Sequence, residues 1–176
     1  MKTINYLILT IIFIGLISCN KEESDEIYNV VVENFIELLK TNQYESWDLP
    51  DFSYKHIPAL LMYVNDTNLI NKYPRGPSSY WPQNPNYRLG VFALWTIEFV
   101  RLKSIDIKRL FVGRFPSQNP IIQKRDEPYE WFTDHDNEAY ETIRQVYLNW
   151  WENNKHKKFS DFHDIDPLSK TEYKWH

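Results

Sequence analysis

Leu89-Gly90-Val91-Phe92-Ala93-Leu94-Trp95-Thr96-Ile97-Glu98-Phe99-Val100-Arg101-Leu102 decides the fold. Apolar side chains cover nearly every face of a helix drawn through this stretch, and a helix apolar all round is buried on several sides. Thr96 and Glu98 interrupt it, and it is too short to cross a bilayer. It therefore reads as the central helix of a core. The other segments read as its cover, and the expected class is all-α.

Working towards the N-terminus, residues 72–88 carry Pro74, Pro77, Pro82 and Pro85. Four prolines exclude a regular helix and a central strand. A loop of that length in a compact domain is often functional. Its aromatics make Tyr80 and Trp81 the candidate binding residues. Ahead of it, Ile57, Leu60, Leu61 and Val64 follow helical spacing, with Ser53 as a candidate cap and Asn65-Asp66-Thr67-Asn68 as a turn-forming stop. From Asp25 to about Lys40, Ile27, Val31, Phe35, Leu38 and Leu39 recur at the same spacing and predict a first helix.

Towards the C-terminus, residues 103–130 read as irregular, broken by Gly113, Pro116, Pro120 and Pro128. A long helix then starts near Asp136, with Tyr140, Ile143, Val146, Tyr147, Trp150 and Trp151 as its apolar stripe. The tail from Phe159 to Trp175 packs back as a clamp. The expected architecture is an irregular helical bundle, or a short stack of helical hairpins of the HEAT or armadillo kind, with a long proline-rich loop. No repeat of fixed period supports the second form.

The N-terminus is an address. Met1-Lys2-Thr3 leads into an apolar run from Ile4 to Ile17, the pattern of a signal peptide. Leu16-Ile17-Ser18-Cys19 resembles the lipobox of bacterial lipoproteins. That resemblance implies lipidation of Cys19 and cleavage before it. It divides the chain into a signal peptide (1–18), a lipidated acidic tether (19–25) and one helical domain (26–176). The run that follows, Cys19-Asn20-Lys21-Glu22-Glu23, resembles an export signal that sends lipoproteins to the outer face of the outer membrane; the periplasmic leaflet is the rival location. About six residues separate Cys19 from the first helix, a reach of at most ~20 Å. The domain is expected to sit close to its membrane.

Composition narrows the partners. The net charge is −4, and losing residues 1–18 removes Lys2 alone, leaving about −5. That argues against nucleic acid, which demands a basic patch. Cys19 is the single cysteine, so no intramolecular disulfide can form. With 4 Gly, phosphate-cradling loops are disfavoured, and no GxGxxG, P-loop or nucleophile-elbow pattern occurs. No cofactor is expected.

Candidate chemistry is sparse. Glu98 sits in the apolar central helix, and Arg101 lies three residues on, where the two heads can meet. A buried carboxylate must be paired or neutralised, so an internal ion pair is the main reading and a general acid the sharper one. Asp134-His135-Asp136 and Asp161-Phe162-His163-Asp164-Ile165-Asp166 carry metal-compatible side chains. They stand at opposite ends of a helix about 25 Å long and show no metal-ligand spacing. No metal is expected. One of Trp150 and Trp151 can pack under the tail while the other stays available for stacking on a sugar.

The mature segment is similar to short uncharacterised Gram-negative lipoproteins through Ile57-Pro58-Ala59-Leu60-Leu61, Leu94-Trp95-Thr96-Ile97-Glu98, Trp150-Trp151-Glu152-Asn153 and Asp166-Pro167-Leu168. The resemblance implies no activity and no functional residues. The leading expectation is a non-enzymatic protein- or glycan-binding module on the envelope. The alternatives are an immunity or inhibitor lipoprotein, and a hydrolase using Glu98 or the His163–Asp166 cluster.

Overall fold

Twelve residues of the helix Leu89–Lys103 are buried, from Leu89 through Glu98 without a break, and the rest of the described chain is arranged around it. The computed structural model describes residues 26–74, 87–105, 120–126, 131–132 and 137–175. Cys19, Tyr80, Trp81 and Asp134-His135-Asp136 lie outside the described residues.

The α-helices are α1 (26–40), α2 (Ile57–Leu61), α3 (Leu89–Lys103) and α4 (Asn137–Asn154). Five short strands stand between and after them: β1 (Leu69–Ile70), β2 (Tyr87–Arg88), β3 (Ile122–Lys124), β4 (Trp131–Phe132) and β5 (Tyr173–Trp175). β1 and β2 form an antiparallel pair, and β4-β3-β5 form an antiparallel three-stranded sheet. The all-α expectation is thus wrong, and so is the helical-hairpin stack; the domain is mixed. Each strand is two or three residues long, too short to show a period of two. Its partner is distant: Ile122 pairs with Phe132 on one side and with Trp175 on the other. Pairing at that separation leaves no mark in a local window.

α1 departs from expectation in a second way. Its buried residues are Val32, Phe35, Ile36 and Leu39, while Ile27, Val30, Val31 and Leu38 are exposed. Two apolar stripes run along this helix, and the one containing Ile27, Val31 and Leu38 faces away from the core. Asn42 ends the helix at a φ of 56°. Its N–H donates to the Leu39 carbonyl and that of Gln43 to the Leu38 carbonyl. This is the left-handed cap that asparagine accepts after glycine.

The segment 53–64 is a 3-10 turn, Tyr54–His56, running into the five-residue α2. It is shorter than the spacing of its apolar residues predicts. Pro58 sits in the first turn of α2, where its missing N–H has no helical acceptor to lose. The Ser53 N–H donates to Nδ1 of His56, 3.0 Å away. Burial then holds the His56 imidazole below its ordinary pKa, despite the nearby Asp51 carboxylate. The turn after α2 ends at Asp66, whose Oδ1 accepts the Asn68 N–H at 2.9 Å and whose Oδ2 meets Lys40 at 2.7 Å. Burial pushes the Asp66 carboxyl up, but Lys40 and Asn68 outweigh it and the carboxyl sits below its usual range. The predicted turn cluster thus also ties α1 to the start of α3, because the Asp66 carbonyl accepts the Gly90 N–H.

α4 buries Ala139, Tyr140, Ile143, Tyr147, Trp150 and Asn154, a stripe at spacings of one, three and four. The tail makes two 3-10 turns, Phe159–Asp161 and Pro167–Lys170, before β5. It does clamp the core, but its last three residues do so as a strand.

Candidate functional site

Glu98 and Arg101 meet inside the core, 4 % and 3 % exposed. The i, i+3 spacing on α3 lays the guanidinium along the carboxylate as a two-point contact. Nε donates to Oε2 at 2.9 Å and Nη2 to Oε1 at 2.7 Å. Such forked pairs are the strong ion pairs of proteins. Arg101 Nη1 donates onward to the His163 carbonyl at 2.8 Å. From α4, the Tyr147 hydroxyl donates to Glu98 Oε2 at 2.6 Å and accepts the indole N–H of Trp175 at 2.9 Å.

One buried carboxylate therefore gathers α3, α4, the turn after α4 and β5. Burial disfavours the charge on Arg101, but the Glu98 carboxylate beside it more than compensates and raises its pKa. Burial, together with the negative charge on Glu98, pushes the Tyr147 phenol well above its ordinary range. The tyrosine thus stays a donor. Both Glu98 oxygens are occupied by protein donors within the core, the condition under which a buried ion pair is tolerated. A general acid must reach its substrate, and this carboxylate is enclosed in the core with both oxygens held by Arg101 and Tyr147. The internal ion pair is the reading the geometry favours.

The His163–Asp166 segment serves the same junction. Asp166 caps the turn Pro167–Lys170 by accepting the Leu168 N–H at 2.8 Å, and pairs with Arg125 at 3.4 Å. His163 Nδ1 lies 2.9 Å from Ser104 Oγ. The Ser104 hydroxyl donates to the Arg101 carbonyl, so its oxygen is left as acceptor for the imidazole N–H. A nucleophilic serine needs the reverse, with its proton pointing at the histidine. Among the described residues no three His, Cys, Asp or Glu side chains gather as a metal site.

The tryptophan pair divides as its helical spacing allows. Trp150 is buried against Phe159 and Phe162, and Trp151, half-buried, also rests near Phe162. The Trp150 indole N–H finds no partner among the described residues. Trp47 and Tyr54 are exposed aromatics, the latter stacked on Phe159 at 5.1 Å.

Sequence reasoning brought Glu98 and Arg101 together but missed Tyr147, Trp175 and Ser104. Tyr147 was visible only as one more apolar position of α4. Nothing local links it to a residue 49 positions away.

A family model described as a domain of unknown function (DUF4943) matches residues 26–176. The chain belongs to that family. The match starts where α1 starts and takes in both sheets and the Glu98 junction. No curated protein and no solved structure matches the chain. No helix among the described residues is long and apolar enough to cross a membrane.

Proposed function

We propose that this chain is a lipid-anchored envelope protein whose domain acts by non-covalent binding of a protein or glycan. The observation that carries the non-enzymatic half is the Glu98 carboxylate, buried with both oxygens spent on Arg101 and Tyr147. The most distinctive acid of the sequence is a structural junction, so a hydrolase built on it has no free group to use. The anchored half rests on Leu16-Ile17-Ser18-Cys19 and on the acidic tether behind it. The lysine and glutamates of that tether favour the outer face of the outer membrane over the periplasmic leaflet.

The anchor is tested by Cys19→Ala. The variant is expected to leave the membrane fraction or to accumulate uncleaved; normal processing with full membrane retention would refute lipidation. Binding is tested with a glycan array and a pull-down from envelope extract, using the protein and a Tyr80→Ala/Trp81→Ala variant. The double change is expected to abolish the captured signal, and unchanged capture sinks the choice of the proline loop. The acidity of the chain, near −5 once residues 1–18 are removed, favours one second reading. It is an immunity or inhibitor protein, for which the same pull-down would return a basic toxin or enzyme.

A further inference from the structure

α1 carries an apolar stripe that the core does not use. Ile27, Val30, Val31 and Leu38 are 59 %, 47 %, 38 % and 38 % exposed. At 100° per residue they fall on one arc of the helix about 100° wide, with Asn34 as its polar exception. The core-facing stripe of Val32, Phe35, Ile36 and Leu39 is centred about 130° away. Glu26, Glu33 and Glu37 occupy the remaining flank. A helix with a single core contact keeps its outer face polar; this one does not.

We propose that this stripe rests in the interface of the membrane to which Cys19 is anchored, so that α1 lies along the bilayer and orients the domain on it. The inference deepens the anchored reading and depends on it. Three observations choose lipid as the occupant. Residues 20–25 span at most ~20 Å, so the first turn of α1 cannot leave the membrane vicinity. Exposure is greatest at Ile27, the end nearest the anchor, and lower at Leu38. Four side chains on one helix also present far less than the ~800 Å² per partner that a stable protein interface buries.

Within α1 itself the contact is apolar. Lys40 is the only lysine or arginine of α1, and it is held by Asp66. The stripe is therefore apolar contact that carries no basic side chain of its own, and it would work on a zwitterionic surface. An interfacial helix of this kind sinks its apolar face ~5–10 Å into the headgroup boundary. The glutamates on the adjoining flank stay in water. The acyl chains hold the protein at the surface; the stripe sets which way it faces.

The test uses the full chain, purified from membranes with its lipid, carrying Val30→Cys with an environment-sensitive fluorophore, in phosphatidylcholine vesicles containing nitroxide-labelled acyl chains. Glu33→Cys, labelled in the same way, is the control on the acidic flank. The expected result is a blue shift and at least about twofold quenching at position 30, with little of either at position 33. Equal, weak quenching at both positions in a protein whose N-terminal peptide carries its acyl mass overturns the stripe and leaves the anchor standing. A missing acyl mass overturns the anchored reading and this inference with it. A blue shift at position 30 that appears in detergent and grows with protein concentration assigns the stripe to a second copy, which also overturns the proposal.

Discussion

Replacing Glu98 with alanine is expected to lower the unfolding free energy by about 3–5 kcal/mol, the loss seen when one partner of a buried ion pair is removed. Arg101 would keep its charge at 3 % exposure, and among the described residues only the His163 carbonyl would still accept from the guanidinium. Tyr147 would lose the acceptor of its hydroxyl while still receiving the Trp175 N–H. Urea unfolding followed by circular dichroism measures the loss. The mechanism has a sharper check in the double variant Glu98→Ala/Arg101→Met. Removing both charges and filling the space with apolar atoms is expected to recover most of the loss, because the penalty lies in the orphaned guanidinium more than in the missing attraction. A double variant no more stable than the single one would show that the junction works by packing alone.

The second large effect is expected at Gly90, where α3 begins beneath the turn after α2. A Cβ built there would lie 2.5 Å from the Val64 carbonyl oxygen and closer still to the Tyr140 hydroxyl, which itself donates to that carbonyl. The Gly90 N–H is meanwhile held by the Asp66 carbonyl. The backbone therefore cannot retreat without breaking this bond. Alanine is the better helix former by about 1 kcal/mol, so a merely open site would be stabilised by Gly90→Ala. Here overpacking is expected to win, with a net loss of about 1–3 kcal/mol in the same urea titration. Adding Tyr140→Phe should return part of it by removing the hydroxyl, but not all, since the Val64 carbonyl stays. A neutral or stabilising Gly90→Ala would contradict the close approach.

How much of this was legible depends on where each residue finds its partner. α3 and α4 could be read because their signals are local: an unbroken apolar run in one, a stripe with spacings of three and four in the other. The Glu98–Arg101 pair could be read for the same reason, since both ends lie on one helix turn. The rest of the junction could not. Tyr147 reaches Glu98, the His163 carbonyl reaches Arg101 and Trp175 reaches Tyr147 only because α4 and the tail fold over α3, and their separations along the chain carry no pattern. The strands fail the same way. β3 is extended because Phe132 and Trp175 flank Ile122 in space; three residues contain too few alternations to announce it.

By itself the sequence determined a central apolar helix, a long amphipathic helix, and a carboxylate that had to be paired. Each follows from neighbours within a few turns of chain. The tertiary structure alone decided that the domain is mixed, that the tail closes a sheet, and that four elements meet in the hydrogen-bond network around one buried carboxylate. It also decided α1. Both of its apolar stripes satisfy helical periodicity equally well. Only the packing of Phe35 against Tyr44, Phe52 and Phe92, within the core that also buries Val32, Ile36 and Leu39, determines which stripe is covered, because periodicity gives a helix an apolar face without saying what lies against it.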